Sequence, residues 1–251
     1  MEMRIEETLE RIEWEHDVDI LYACESGSRA WGFASSDSDY DVRFIYAGRL
    51  NHYLTVAKTR DVIELPIVDD LDINGWDVKK ALSLLRVSNP TLLEWLHSPV
   101  VYRADSEFLS AIRDLSVKAM RPRALCYHYL SMAKNNWRND IDKAHTTAKK
   151  YLYTLRALLC VKWIVERNTI PPVSFDELVR GTVTSEALWG AIDSLLTLKA
   201  ESKEKEKMLR HRVFDAFILT SFETFEDKLP AESGRLDVAE FDKLFVQLVA
   251  N

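Results

Sequence analysis

A Gly27-Ser28 pair is followed, after ten residues, by Asp39 and Asp41, two carboxylates separated by a single Tyr40. Aspartate oxygens are hard ligands suited to Mg²⁺, and two close carboxylates repel each other unless a cation compensates them. Gly27 lets the backbone come close to a phosphate. Ser28 offers a hydroxyl and an N–H at what reads as the start of a helix, where amide donors lack intrahelical partners and the dipole favours anions. The chemistry this spacing suggests is a triphosphate and a divalent metal held in one cleft.

Such a site needs a rigid frame, and the flanking residues supply one. The run 19–24 before the motif and the run 42–46 after it are both rich in strand-forming apolar residues. The motif therefore reads as a polar connection between two strands, the usual position of a site on a scaffold. In Asp39-x-Asp41 on a strand, side chains at i and i+2 project from the same face, so two hard oxygen ligands stand close together and can hold Mg²⁺.

Gly-Ser, ten residues, then Asp-x-Asp with apolar flanks resembles the signature of the DNA polymerase β-type nucleotidyltransferase superfamily, and Arg29-Ala30-x-Gly32 and Ser38-Asp39 extend the match. Segments 71–77, 88–96 and 149–156 resemble its YcgL-like branch, which includes the RNA-repair-associated RlaP. The likeness covers most of residues 1–180 and fades afterwards. It implies a third carboxylate from a later strand. Asp72, between Leu71 and Ile73, is the first choice, with Asp70 and Glu64 as alternatives. The competing reading of Asp72 is a cap for a helix starting near Gly75 or Trp76. For Asp39 and Asp41 the competing reading is an ordinary acidic turn.

Length and composition are consistent with this. The 251 residues and 47% hydrophobic content support one large or two modest cores. No apolar run reaches the roughly 18 residues of a membrane span, and residues 1–7 are too acidic for a signal peptide, so the expectation is a cytoplasmic protein. Cys24, Cys126 and Cys160 are widely spaced without a C-x-x-C pair, which argues against a disulfide framework or a zinc site. The six histidines show no zinc-hydrolase spacing.

Charge is unevenly distributed. Residues 1–120 carry a net −9, residues 121–167 a net +7, and the remainder −5, giving the overall −7. A cationic block in an acidic chain suits a polyphosphate or a nucleic-acid strand and argues against non-specific coating of duplex DNA; the plainer alternative is a solvated helix face.

Residues 4–15 read as a helix with Ile5, Leu9 and Ile12 on one stripe. Residues 61–68 and 71–73 read as strands, 76–87 and 91–97 as helices, and the chain from Arg121 as largely helical. Pro122 starts a helix to about residue 139, and a longer one is expected over 143–167. On it, Lys149, Tyr153 and Arg156 lie at i, i+4 and i+7, so two cations and an aromatic share a stripe able to grip phosphates and stack a base, or to snorkel from a core. The charged run 201–207 reads as a solvated face, and 208–225 as a further helix.

The expected fold is α/β of the α+β type: a small mixed-sheet nucleotidyltransferase domain over 1–120, then a helical domain over 121–251 closing over the nucleotide. The expected activity is two-metal transfer of a nucleoside monophosphate from a nucleoside triphosphate to an acceptor hydroxyl, with an RNA end favoured by the resemblance. Asp39, Asp41 and Asp72 would hold two Mg²⁺, with Mn²⁺ as a substitute. Gly27, Ser28, Arg29, Ser38, Lys149, Tyr153 and Arg156 would bind nucleotide. The alternative is a nucleotide-binding regulator with the same fold and no transfer. An Asp-nucleophile phosphatase is disfavoured because Arg43 stands where its Thr is expected.

Overall fold

The computed structural model describes every residue except Ser36, Lys58, Asp142, Ala144, 202–205 and Asn251. The chain forms two compact units. The first contains Met1–Ala30, Asp39–Met120 and Gly234–Asn251; the second contains Trp31–Ser38 and Arg121–Ser233. The units are not consecutive blocks, because the last residues group with the first and a short early segment groups with the second.

The first unit opens with α1 (Glu2–His16), whose Ile5, Leu9 and Ile12 are fully buried and which stops at Asp17 in the left-handed region, φ 51°. Then follow β1 (Val18–Glu25), α2 (Gly27–Trp31), β2 (Tyr40–Gly48), α3 (Leu50–Tyr53), β3 (Val62–Glu64) and β4 (Leu71–Asp77). After these come α4 (Val78–Arg86), α5 (Pro90–Leu96), β5 (Val101–Ala104) and α6 (Ser106–Ala119). The five strands form one mixed sheet in the order β3-β4-β2-β1-β5. Only β2 and β4 run parallel. The apolar stripe of α1 joins Ile20, Val42, Phe44 and Ile73 in the core beneath it.

The helix expected over 76–87 starts at Val78, because residues 76 and 77 are the end of β4. Its burial alternates strictly, with Leu71, Ile73, Gly75 and Asp77 inside and Asp72, Asn74 and Trp76 on the other face. Gly75 belongs in this strand because it lies opposite Phe44, where a Cβ would come within 2.2 Å of the ring. The N-cap of α4 is Asp77, which accepts from the Lys79 N–H at 2.7 Å. Asp72 is therefore a strand residue and not a helix cap.

The second unit runs through α7 (Pro122–Asn136), a π-helical turn (Trp137–Ile141), β6 (His145–Thr147) and α8 (Ala148–Arg167). It continues through α9 (Phe175–Thr182), α10 (Glu186–Glu201), β7 (Lys207–Leu209) and α11 (Arg212–Asp227). Leu125, Tyr129 and Ala133 of α7 are buried, whereas Met132 is exposed. The helix expected over 143–167 begins only at Ala148, since residues 145–147 pair with β7 and Thr147 caps α8 through the Lys150 N–H. The helix expected from Met208 likewise starts at Arg212. Within the charged run 201–207, residues 202–205 lie outside the described residues. α12 (Val238–Val249) belongs to the first unit, where it packs on α4 and α6 with Phe241 and Leu244 buried. Among the described residues no helix is long and apolar enough to cross a membrane.

Candidate active site

The parallel pairing of β2 with β4 sets the site. Asp41 and Asp72 are direct partners in the register, so their side chains stand side by side on one face of the sheet. Arg43, two residues along β2, shares that face. Its Nη2 donates to Asp41 Oδ1 at 2.9 Å and to Asp72 Oδ2 at 2.7 Å, and Nη1 donates to the Asp72 carbonyl at 2.9 Å. Both carboxylates keep partial access to solvent, with side-chain exposures of 30% and 26%. The guanidinium thus supplies the compensating cation that two adjacent carboxylates require.

Asp39 precedes β2 rather than lying in it, and it is exposed. Its carbonyl accepts from Arg29 Nε at 3.1 Å. Among the described residues no three His, Cys, Asp or Glu side chains group as a metal-binding set. The structure therefore unites Asp41 with Asp72 and leaves Asp39 outside that pair. The two alternatives for Asp72 lie elsewhere: Asp70 is exposed with φ 62°, and Glu64 is exposed on β3.

Gly27 abuts Asp41. Its φ is +61°, and a Cβ there would come within 2.2 Å of Asp41 Oδ2. The Ser26 N–H donates to the Asp41 carbonyl at 2.8 Å, tying the turn before α2 to β2. Ser28 is buried in α2. Arg29 sits over Tyr40, its guanidinium carbon 3.7 Å from the ring centroid.

Glu25, at the end of β1, is a part of this centre that the motif does not reveal. It is buried, its Oε1 accepts from the Asp41 N–H at 2.8 Å, and its Oε2 accepts from the Tyr102 hydroxyl. Burial raises its carboxyl pKa above the ordinary value, against the lowering effect of those two hydrogen bonds. Its signal in the sequence is slight: an acidic residue closing an otherwise apolar strand just before Ser26-Gly27. Arg43 was legible only as a residue that did not fit the phosphatase pattern.

The remaining expected nucleotide ligands belong to the second unit and are described within it. Ser38 is buried, and its hydroxyl accepts from the Ser35 N–H at 3.0 Å. The stripe on α8 is partly structural: Arg156 is buried with its guanidinium 4.4 Å from the Trp31 ring, and Tyr153 meets that ring edge-on at 5.0 Å. Lys149, half-buried, lies 5.5 Å from the Tyr153 ring.

The donor set suits a hard divalent cation, since carboxylate oxygens from adjacent strands already converge on one cationic nitrogen. That nitrogen competes for the same oxygens. Arg43→Gln is therefore expected to bind Mn²⁺ in the absence of nucleotide about tenfold more tightly than the parent, given that hydrogen bonds to charged groups contribute about 1.5–3 kcal/mol. Unchanged affinity in a Mn²⁺ titration would show that the guanidinium and the metal do not compete.

A mixed sheet carrying a Gly-Ser turn against a register-paired carboxylate couple defines a nucleotidyltransferase of the polymerase β type. The chain belongs to RlaP, the RNA repair pathway DNA polymerase beta family, whose model matches residues 1–247. It is 41% identical over 252 residues to "Uncharacterized protein YcgL" of Bacillus subtilis (strain 168), an alignment covering 99% of this chain and 96% of that protein. Among solved structures it is similar to a nucleotidyltransferase-like protein from Exiguobacterium sibiricum 255-15, at 12% identity and a TM-score of 0.30, over 97% of this chain and 79% of that one.

Proposed function

We propose that the protein transfers a nucleoside monophosphate from a nucleoside triphosphate to an acceptor hydroxyl at an RNA end. The observation that carries this reading is the in-register pair Asp41 and Asp72 on parallel strands, converging on a single cationic nitrogen beside the Gly27 turn. The acceptor class rests on the RNA repair description of the family.

In this reading Asp39 and Asp41 take up metal with the triphosphate, and Asp72 serves the acceptor side. Held by these carboxylates, two Mg²⁺, or Mn²⁺ in their place, would supply Lewis acidity for an in-line displacement. The acceptor hydroxyl gives up its proton with the help of Asp72, its oxygen bonds to the α-phosphorus, the bond from that phosphorus to the α–β bridging oxygen breaks, and pyrophosphate leaves with that oxygen. Gly27 lets backbone amides approach the phosphates, and Ser28 adds a donor. Arg29 and Lys149 are the cations proposed for neutralising phosphate charge. Arg156 is proposed to act in the same stripe chiefly by holding Trp31 and, through it, the edge of Tyr153.

Calorimetric titration of the four ribonucleoside triphosphates, with and without Mg²⁺, on the parent and on Asp41→Asn tests this. Mg²⁺-dependent binding that the substitution abolishes is expected, and absence of binding to all four would sink the proposal.

A further inference from the structure

At the end of β1, on the sheet face that α1 covers, lies a cavity of about 470 Å³ in the first unit, walled by Glu25, Arg29, Tyr40, Val100 and Tyr102 together with the start of α1. Its walls are fastened to the proposed centre through the backbone. Glu25 holds the Asp41 N–H, Tyr40 adjoins Asp41, and Arg29 holds the Asp39 carbonyl. Resting on the transfer reading above, we propose that this cavity receives a nucleobase and reads its hydrogen-bonding edge through Glu25.

Shape and chemistry support that occupant. The volume lies within the range of small-molecule sites and can take a base with its ribose. Arg29 has its guanidinium carbon 3.7 Å from the centroid of the Tyr40 ring, and Tyr102 contributes a second aromatic ring. Bases taken from single-stranded RNA are commonly stacked on aromatic rings and on guanidinium planes. The lining also carries the carboxylates of Glu2 and Glu25, and that of Glu25 is oriented by two donors from its own chain. A carboxylate has about four lone-pair sites, so two remain for a ligand, and when ionised it only accepts. It therefore suits bases with an exocyclic amino group, adenine, cytosine and guanine. Uracil presents one N–H flanked by two carbonyl oxygens and is disfavoured.

The base could come from the incoming triphosphate or from the terminal nucleotide of the acceptor, and the experiment separates the two. One arm titrates the four ribonucleoside triphosphates with Mg²⁺; the other titrates five-nucleotide single-stranded RNAs ending in each of the four bases, without triphosphate. In the parent, uracil is expected to bind about tenfold more weakly than the amino-bearing bases in one arm, which identifies the source, since a good edge contact discriminates by about 1–3 kcal/mol. Glu25→Gln, whose amide both donates and accepts, is expected to bring all four bases within about twofold in that arm. Where Glu25→Gln fails to fold by circular dichroism, Tyr102→Phe carries the test, because losing the hydroxyl that orients Glu25 should shrink the same preference. Equal binding of all bases by the parent in both arms, or a preference unaltered in the folded variant, overturns the proposal. Inorganic tripolyphosphate with Mg²⁺ keeps the two readings apart: if it binds the parent, fails to bind Asp41→Asn, and no base preference exists, the transfer reading stands and the base pocket falls.

Discussion

Asp72→Ala is expected to lower nucleotidyl transfer by about 100-fold or more while Mg²⁺-dependent triphosphate binding stays within a few-fold of the parent. The structure gives Asp72 a position in register with Asp41, on the same face and sharing the same guanidinium nitrogen. In the proposed division of labour Asp41 serves the triphosphate and Asp72 the acceptor, so loss of Asp72 should fall on the chemical step; removing one preorganised transition-state partner typically costs about 10²–10³ in rate. Single-turnover transfer to an RNA oligonucleotide, alongside calorimetric binding, reads both quantities. If binding and turnover fell together, Asp72 would belong to the triphosphate side. If the parent bound triphosphate without transferring a nucleoside monophosphate to any RNA, small-molecule or protein acceptor, the regulator reading would replace the enzyme.

Gly27→Ala is expected to leave the fold in place and to weaken Mg²⁺-dependent triphosphate binding by more than about tenfold. The added Cβ would meet Asp41 Oδ2 at 2.2 Å, which is the movable end of a side chain, so the carboxylate can swing aside. What yields is the proposed ligand oxygen itself, and in the first unit the turn before α2 is additionally held by the Ser26 to Asp41 backbone bond. The left-handed φ of +61° adds a conformational cost of about 1–2 kcal/mol for a residue with a Cβ. Thermal unfolding and calorimetry together check this, and full binding by a stably folded Gly27→Ala would show that the close approach has no role in the site.

Several elements of this fold were legible because local pattern and tertiary environment agree. In α1, Ile5, Leu9 and Ile12 have helical spacing and all three are buried. The apolar runs flanking the motif became β1 and β2, since their central residues are buried in the sheet. β4 misled the reading at Gly75, a residue usually taken as a breaker, because its reason for being there is Phe44 on the adjacent strand. β6 and β7 escaped notice for a related reason. Each is three residues long and is defined by a partner far along the chain. At the site, Asp41 and Asp72 could be named from flanking residues, whereas the roles of Arg43 and Glu25 depend on strand register and on Tyr102, a residue of β5. Asp39 shows the opposite limit: its spacing from Asp41 fits one strand face, but β2 starts one residue too late to include it.

The return of α12 to the first unit has a consequence for how the protein comes to be made. α4 and α6 emerge from the ribosome early, yet the helix that covers part of their apolar surface is encoded after all of the second unit. During synthesis α4 and α6 wait for α12, so the first unit completes its packing only after the second unit has been made. Closing so long an intervening segment adds only a slowly growing entropic cost, but such distant contacts slow folding. The nascent chain therefore passes through a stage with an uncovered helical face, the form most open to chaperones and to aggregation.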